Sequence, residues 1–152
     1  MTKIIAISNQ KGGVGKTTTA VNLSACLGAA GKKTLLIDAD PQGNATSGVA
    51  IDKSKIKYST YDIMVEGVKA EECVLTTPYQ NLHVLPSSID LAAAELEIAE
   101  KRHREALLKN AILPIKQYYD YIIIDCPPSL GLITANALTL ADSFIVPIQC
   151  EY

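Results

Sequence analysis

Glycine, lysine and threonine residues close to the N-terminus have the types and spacing of a phosphate-binding loop. The run Lys11-Gly12-Gly13-Val14-Gly15-Lys16-Thr17-Thr18 follows an apolar stretch at residues 4–7. Glycines let the backbone approach an anion closely, and N–H groups without helical partners at a helix N-terminus donate hydrogen bonds to it. Lys16 adds positive charge, and the Thr17 hydroxyl can ligate Mg²⁺. The pattern predicts a loop that cradles phosphate groups.

The elements on either side of this loop are predicted to form a strand–helix–strand unit. Apolar residues recur at helical spacing after the loop, and Gly31 is suited to ending that helix. The helical positions are Ala20, Leu23, Leu27 and Ala30. A second apolar run at residues 34–37 follows directly. We therefore expect an α/β fold in which these two strands are parallel, joined by a right-handed crossover, with the ligand at their carboxyl ends.

Acidic residues follow two of the apolar runs. Asp38 and Asp40 come after residues 34–37, and Asp125 comes after residues 121–124. Without the phosphate-binding loop, turn formation and helix capping would be the favoured explanation of the first two. A hydrophobic run that ends in an acid is typical of the Walker B strand, whose carboxylate holds the Mg²⁺ shell beside the phosphates. Next to a phosphate loop, Asp125 is therefore a candidate metal ligand.

Composition indicates one soluble domain over residues 1–152. Of the 152 residues, 48% are hydrophobic and 20% are charged, which is enough to build a core. The net charge of −2 gives no overall basic character, so any contact with DNA needs a local patch. No apolar run approaches the length that spans a membrane. We expect a cytoplasmic protein with no membrane partner.

The remainder of the chain alternates between predicted helices and strands. Strands are expected at residues 82–85 and 143–148, and helices at residues 60–68, 91–111 and 129–140, the second of these broken near residues 102–104. Leu130, with Ile133, Ala137 and Leu140, is expected on the packed face of the last helix. His83 is interpreted as a surface or hydrogen-bonded core histidine rather than a metal ligand. Cys26 and Cys126 are expected to be buried free thiols.

The loop departs from the usual P-loop pattern in a way that points to a particular group of ATPases. Gln10 occupies the position of the first glycine, and a second lysine, Lys11, precedes Gly12 and Gly13. This arrangement resembles the deviant Walker A ATPases. Together, residues 9–19, 35–46, 121–132 and 142–152 resemble the ParA/Soj chromosome- and plasmid-partitioning ATPases, relatives of MinD. The resemblance runs through the whole chain and implies a P-loop, mostly parallel sheet flanked by helices.

The resemblance also implies a role for each motif residue. Lys11 would reach the phosphates of a partner subunit in an ATP-bound homodimer, and Lys16 would act in its own site. The phosphate-binding residues would be Lys11, Gly12, Gly13, Val14, Gly15, Lys16, Thr17 and Thr18. Asp40 would position the attacking water. Thr17, Asp40 and Asp125 would form the surroundings of Mg²⁺.

By the same resemblance, the chain would hydrolyse ATP slowly and act as a dimerisation switch. A ParB-type protein would stimulate hydrolysis, and the dimer would bind DNA non-specifically, which makes the protein nucleoid-associated. Family members continue for ~100 more residues. The missing part would supply adenine contacts, part of the dimer interface and the DNA-binding surface. We therefore expect a C-terminally truncated chain whose last strand is open to edge pairing.

Three other functions are compatible with these motifs. A MinD-type membrane switch would need a C-terminal amphipathic helix. An iron–sulfur relative, such as the nitrogenase iron protein, would need cluster cysteines at a dimer face. A nucleotide-binding remnant without activity would keep only the loop. The stretches at residues 41–46 and 149–152 favour the ParA/Soj interpretation over the MinD one.

Overall fold

One mixed sheet forms the centre of the molecule. The computed structural model describes residues 1–150. Within them the strands are β1 (Lys3–Ile7), β2 (Thr34–Asp38), β3 (Leu75–Thr76), β4 (Leu82–Leu85), β5 (Tyr121–Asp125) and β6 (Ser143–Ile145). Their order across the sheet is β3-β4-β2-β5-β1-β6. All neighbours pair in parallel except β3, which is antiparallel to β4.

Helices cover both faces of this sheet. They are α1 (Lys16–Ala29), α2 (Asn44–Gly48), α3 (Ala70–Cys73), α4 (Leu91–Ile98), α5 (Leu107–Ile112) and α6 (Leu132–Leu140). Short 3₁₀ helices lie at Lys53–Lys55 and Lys116–Tyr118, and a π-helix at Asp62–Glu66. Helices α1 and α2 pack on one face, and α4, α5, α6 and the π-helix pack on the other. Alternate residues of each central strand therefore enter two separate cores.

The apolar runs become the central strands because both of their faces are buried. In β5, Ile123 packs in the α1 core, whereas Ile122 and Ile124 pack in the opposite core. Strand β5 lies between β1 and β2 and is parallel to both. The predicted parallel relation of the first two strands is confirmed, although they are not neighbours. The insertion of β5 places Asp125 in register with Asp38 on one side and Ile7 on the other.

Most of the predicted helices are confirmed, with corrections at their ends and faces. The first helix ends before Gly31, which has a φ of 81°, and the predicted break separates α4 from α5. Helix α6 begins only at Leu132, so Leu130 lies outside it and is 67% exposed, contrary to prediction. The buried face of α1 is formed by a lysine and three small residues rather than by large apolar side chains. Those residues are Lys16, Ala20, Ser24 and Gly28.

Two further predictions concern exposed parts of the chain. Cys26 is exposed on α1, contrary to prediction, because it lies off the packed face of that helix. The predicted last strand is shorter than expected, since β6 ends at Ile145. Glu151 and Tyr152, which belong to the final motif, lie outside the described residues. In the described part of the chain, no helix combines the length and the hydropathy needed to cross a bilayer.

Candidate functional site

The glycine loop (residues 8–15) connects β1 to α1 at the carboxyl edge of the sheet. Gly13 and Gly15 have φ values of 70° and 88°, which a residue with a side chain rarely adopts. A Cβ added at Gly12, Gly13 or Gly15 would meet nothing within 4 Å. Gly13 and Gly15 are therefore required by the shape of the backbone rather than by crowding. The loop leaves room for a ligand to approach its main chain.

A pocket of about 350 Å³ lies against this loop. Its lining includes most of the residues that the sequence analysis selected, together with three that it did not. The lining residues are Gly12, Gly13, Gly15, Lys16, Thr17, Thr18, Asp40, Gln42, Asn44 and Pro128. The structure thus brings together residues from the first loop, the loop after β2 and the loop after β5.

Lys16 places a cation at the centre of the glycine loop. Its side chain is only 7% exposed, and its Nζ donates a hydrogen bond to the backbone carbonyl of Lys11 at 2.9 Å. Lysine is almost never buried to this extent without a polar partner. The first residue of α1 therefore holds its ammonium group beside the loop, where the helix dipole also favours a negative ligand.

Thr17 lines the pocket and is hydrogen-bonded to Asp125, which is buried and does not line the pocket itself. Thr17 Oγ1 donates to Asp125 Oδ2 at 2.7 Å, which links the start of α1 to the end of β5. Asp125 is fully buried, and its Oδ1 has no hydrogen-bond partner among the described residues. Burial raises the pKa of Asp125 to about 7; the negative charges of Asp38 and Asp40 add to this, and the Thr17 hydrogen bond opposes it.

The unpaired oxygen of Asp125 provides a test of whether the site fits a cation. A buried carboxylate oxygen without a donor is unfavourable unless another group satisfies it. A hydrated Mg²⁺ offers both positive charge and water O–H donors. Thr17 and Asp125 are therefore the residues that fit a magnesium shell. Among residues 1–150, no three His, Cys, Asp or Glu side chains cluster closely enough to hold a metal by themselves.

Asp38 and Asp40 end up in different surroundings despite their spacing of two residues. Asp38 is fully buried, and its carboxylate accepts hydrogen bonds from Thr46 and from the backbone N–H of Asp40. Burial raises the pKa of Asp38, whereas these hydrogen bonds act in the opposite direction. Asp40 is partly exposed and lines the pocket, with its Oδ1 accepting from the Gln42 N–H at 2.9 Å.

Two of the predicted phosphate-binding residues do not direct their side chains into the pocket. Lys11 is exposed and is not among the lining residues, while its N–H donates to Asn9 Oδ1 at 3.0 Å. Val14 is 7% exposed and packs inward. Only the backbone of Val14 is available to a ligand. The Lys11 side chain is free to extend away from its own pocket.

Several residues that support the site were missed because their roles depend on contacts between distant segments. Gln149 Nε2 donates to the carbonyl of Gly13 at 2.8 Å, and Asn9 Nδ2 donates to the carbonyl of Pro147 at 2.8 Å. The glycine loop is thereby joined to the segment after β6. No local pattern in the sequence indicates such contacts, since their partners are more than a hundred positions apart.

The remaining candidate ligands are explained by ordinary packing. His83 Nδ1 lies 3.0 Å from the hydroxyl of Tyr119, in agreement with the predicted hydrogen-bonded histidine. Cys73 and Cys126 are buried free thiols, and burial raises the pKa of each to about 12. Both cysteines therefore remain protonated at neutral pH.

Comparison with known proteins places these features in a family. The AAA_31 family, described as AAA domain, matches residues 2–152. The sporulation initiation inhibitor protein Soj of Bacillus subtilis is 57% identical over 152 residues, which is 100% of this chain and 60% of that protein. The chromosome partitioning protein ParA of Myxococcus xanthus is 51% identical over 150 residues, 99% of this chain and 53% of that protein.

Solved structures share the same fold. The crystal structure of cobyrinic acid a,c-diamide synthase from Mycobacterium smegmatis with bound ADP and magnesium superposes with a TM-score of 0.96 at 41% identity. The match covers 100% of this chain and 62% of that one. The chain spans about 60% of the length of Soj. It belongs to the AAA_31 family of AAA-domain proteins, and it is homologous throughout its length to the Soj and ParA partitioning ATPases.

Proposed function

We propose that residues 1–152 form the nucleotide-binding domain of a ParA/Soj-type partitioning ATPase, which binds ATP with Mg²⁺ and hydrolyses it. The observation that carries this proposal is the hydrogen bond from Thr17, which lines the pocket of an open glycine loop, to the buried Asp125. A hydroxyl and a carboxylate that meet beside a phosphate cradle match the protein side of a magnesium–nucleotide site. The relative with bound ADP and magnesium supports the same ligands.

The phosphates would lie along Gly12, Gly13, Gly15 and the N-terminus of α1. Backbone N–H groups and the helix dipole would stabilise their negative charge, and Lys16 would supply a cation that is already held beside them. Thr17, Thr18 and the Val14 main chain would complete the cradle. The pocket is lined by the glycine loop, the start of α1 and the loops after β2 and β5, and these elements carry the residues assigned to the phosphates and magnesium. The adenine would lie outside this pocket.

Thr17 and Asp125 would hold the magnesium shell, and Asp40 would face it from the loop after β2. When bound, Mg²⁺ polarises the phosphoryl oxygens and neutralises part of their charge. The contribution of Asp125 is its buried second oxygen, which has no donor among residues 1–150. The Thr17 hydroxyl is already oriented by the other oxygen of the same carboxylate.

Asp40 would orient the water that attacks the terminal phosphate. Its Oδ1 is fixed by the Gln42 N–H, and its Oδ2 has no partner among the described residues. One oxygen is therefore held in place while the other can accept a hydrogen bond from water. Lys16 would stabilise the charge that develops on the transferred phosphoryl group.

Lys11 would act across a homodimer, in the site of the partner subunit. Its exposure and its absence from the lining of its own pocket support this assignment. Two such lysines would complete two nucleotide sites, so ATP would favour the dimer and hydrolysis would loosen it. Stimulation by a ParB-type protein, non-specific DNA binding and a cytoplasmic, nucleoid-associated location would follow from the relatives' role in partitioning. The DNA contacts would come from the part of the family that this chain does not span.

Nucleotide binding by Lys16→Ala tests the proposal directly. We expect the affinity for a fluorescent ATP analogue with Mg²⁺ to fall by about 10- to 100-fold, because a charge-assisted contact is lost. Lys32→Ala, an exposed lysine beyond the other end of α1, is the matched control and should bind as the wild type does. Phosphate release measured on the same samples tests hydrolysis. Equal nucleotide affinity in Lys16→Ala and wild-type protein would refute the assignment, and binding without phosphate release would favour an inactive nucleotide-binding remnant.

A further inference from the structure

Thr46 occupies an unusual position behind the nucleotide pocket. It lies in α2, is fully buried and does not line the pocket. Its backbone N–H and its hydroxyl both donate to Asp38 Oδ2, at 2.8 and 2.7 Å. The same hydroxyl oxygen accepts a hydrogen bond from the Ser87 N–H at 3.0 Å. One side chain therefore joins the end of β2, the start of α2 and the loop after β4.

Asp38 connects this side chain to the residue proposed to act on water. Its second oxygen, Oδ1, accepts the backbone N–H of Asp40 at 3.1 Å. The Asp38 carboxylate thus binds one backbone donor inside the 39–43 loop, which carries Asp40, and another just beyond that loop, in α2. The backbone of Asp38 is itself fixed, since it is paired in β2 beside Asp125. The position of the loop consequently depends on how the Asp38 carboxylate is oriented.

The hydroxyl of Thr46 is one of three donors that hold the Asp38 carboxylate in that orientation. Asp38, Thr46 and Ser87 are all fully buried, so water cannot replace a hydrogen bond that is lost between them. Removal of the hydroxyl would leave Asp38 Oδ2 with only the Thr46 N–H and would leave the Ser87 N–H without an acceptor. A carboxylate that loses one of its three donors is held less firmly, and its rotation would displace the Asp40 N–H that its other oxygen accepts. A misplacement of about 1 Å at a reacting group can lower a rate by roughly 100-fold.

We propose that Thr46 is a positioning residue for ATP hydrolysis, which acts through Asp38 to hold the 39–43 loop so that Asp40 faces the phosphates. The inference rests on the proposed function. Thr46 would contact neither nucleotide nor metal. Through the hydrogen bond from Ser87, the loop after β4 would also help to hold the site in place. A residue of this kind should affect the rate of hydrolysis more than the binding of nucleotide.

Three variants of the full chain test this assignment. Thr46→Val keeps the shape of the side chain and loses the hydroxyl, whereas Thr46→Ser keeps the hydroxyl and loses a methyl group. The matched control is Thr34→Val, since Thr34 is equally buried at the opposite end of β2, where its hydroxyl donates to the Lys32 carbonyl. The measurements are kcat and KM for ATP hydrolysis, the Kd of a fluorescent ATP analogue with Mg²⁺, and the Tm.

We expect Thr46→Val to lower kcat by about 10- to 100-fold while the Kd changes by less than about threefold. Thr46→Ser should restore kcat to within about threefold of the wild type, and Thr34→Val should leave kcat within about twofold. If Thr46→Val fails to fold, Thr46→Ala removes the same hydroxyl without adding a methyl group against Asp38 and carries the same test.

Active wild-type protein with an equally active Thr46→Val variant would overturn this inference alone. A parallel loss of kcat, nucleotide affinity and Tm that Thr46→Ser does not rescue would also overturn it, because that pattern describes a purely structural residue. Wild-type protein that binds nucleotide but releases no phosphate would overturn the proposed hydrolysis, and this inference with it. The outcomes therefore separate the two proposals.

Discussion

At the scale of single residues, three aspartates at one edge of the sheet have three different environments. Asp38 is buried with its hydrogen bonds satisfied, Asp125 is buried with one oxygen unpaired, and Asp40 reaches the pocket. The differences follow from position, since Asp38 and Asp125 end neighbouring strands whereas Asp40 lies in a loop. Residue type and spacing could not separate Asp38 from Asp40, because the separating contact comes from Thr46.

Asp40→Asn tests the proposed role of Asp40 in hydrolysis. The amide keeps the size of the side chain but is a poor proton acceptor, so we expect phosphate release to fall by about 100-fold. Nucleotide affinity should change by less than about threefold, since the Lys16 and loop contacts remain. Asp52→Asn, an exposed aspartate in another loop, is the control. An Asp40→Asn variant with wild-type phosphate release would contradict the assignment.

Asp125 should make the stability of the nucleotide-free protein depend on pH. Its pKa is raised from 3.8 to about 7, so the folded protein retains a proton that the unfolded chain releases. The resulting stabilisation is complete below about pH 4 and is lost as the pH rises through 7. In EDTA, the urea midpoint of wild-type protein should therefore fall between pH 5 and pH 8.

Asp125→Asn is the variant that isolates this effect. It has no proton to release, so its urea midpoint should change less over the same pH range. Asp38, whose pKa is also raised by burial, should leave a residual slope in both proteins. Equal pH dependence of the two urea midpoints would show that Asp125 does not titrate as the structure indicates.

At the scale of elements, α4 fixes the start of α6. The Glu95 carboxylate accepts the Ile133 N–H at 3.2 Å, where an acidic group also complements the helix dipole. Gly131, the residue before α6, packs directly on Glu95, so an added Cβ would collide with that carboxylate. Helix α6 follows the loop after Asp125. Its N-terminus is therefore anchored by α4, which packs on the face of the sheet opposite to α1.

Gly131→Ala tests this anchor. The new methyl group would force Glu95 off the Ile133 N–H, and we expect a loss of about 1–2 kcal/mol in the free energy of unfolding. In a Glu95→Ala background the same substitution should cost less, because the collision is removed. The measurement is a double-mutant cycle of urea unfolding curves. Additive losses would show that Gly131 and Glu95 do not interact.

The elements also show what the sequence could and could not predict. Continuous apolar runs identified β1, β2 and β5, because both faces of these strands are buried. The two-residue β3 has no such pattern, and it was missed. The packed face of α1 was only partly predicted because Ser24 and Gly28 allow close approach without being hydrophobic. The motif selected six residues that the structure places around the pocket: Gly12, Gly13, Gly15, Lys16, Thr17 and Thr18. Thr46 and Gln149, and Glu95 outside the site, act through contacts that only the folded chain creates.

At the scale of the whole molecule, the edge of the sheet formed by β6 and the segment after it exposes apolar side chains. Strand β6 is an edge strand, and the side chains of Phe144, Val146 and Ile148 are 67%, 44% and 76% exposed. Unpaired edges with apolar side chains favour association between copies. Association through this edge would require no nucleotide, whereas association through Lys11 would require ATP.

Lys11→Ala distinguishes these two kinds of dimer. With a non-hydrolysable ATP analogue and Mg²⁺, we expect wild-type protein to sediment as a dimer and Lys11→Ala as a monomer, because each lysine would neutralise phosphates of the other subunit. Nucleotide affinity measured at low protein concentration should change by less than about threefold. Lys109→Ala, an exposed lysine on α5, is the control.

Runs without nucleotide supply the remaining comparison. If wild-type and Lys11→Ala protein both form dimers equally with and without the analogue, the proposed role of Lys11 is contradicted. Such a result would point instead to association through the β6 edge. A dimer that appears only with nucleotide, and only when Lys11 is present, would support the proposed switch.

The hydrogen bonds from Gln149 to Gly13 and from Asn9 to Pro147 have a mechanical consequence. They join the glycine loop, which would bind the phosphates, to the segment of chain that follows β6. A displacement of that stretch would change the conformation of the glycine loop, and a change in the loop on ligand binding would in turn displace the stretch. Occupancy of the pocket by a ligand and the position of residues 147–149 would then change together.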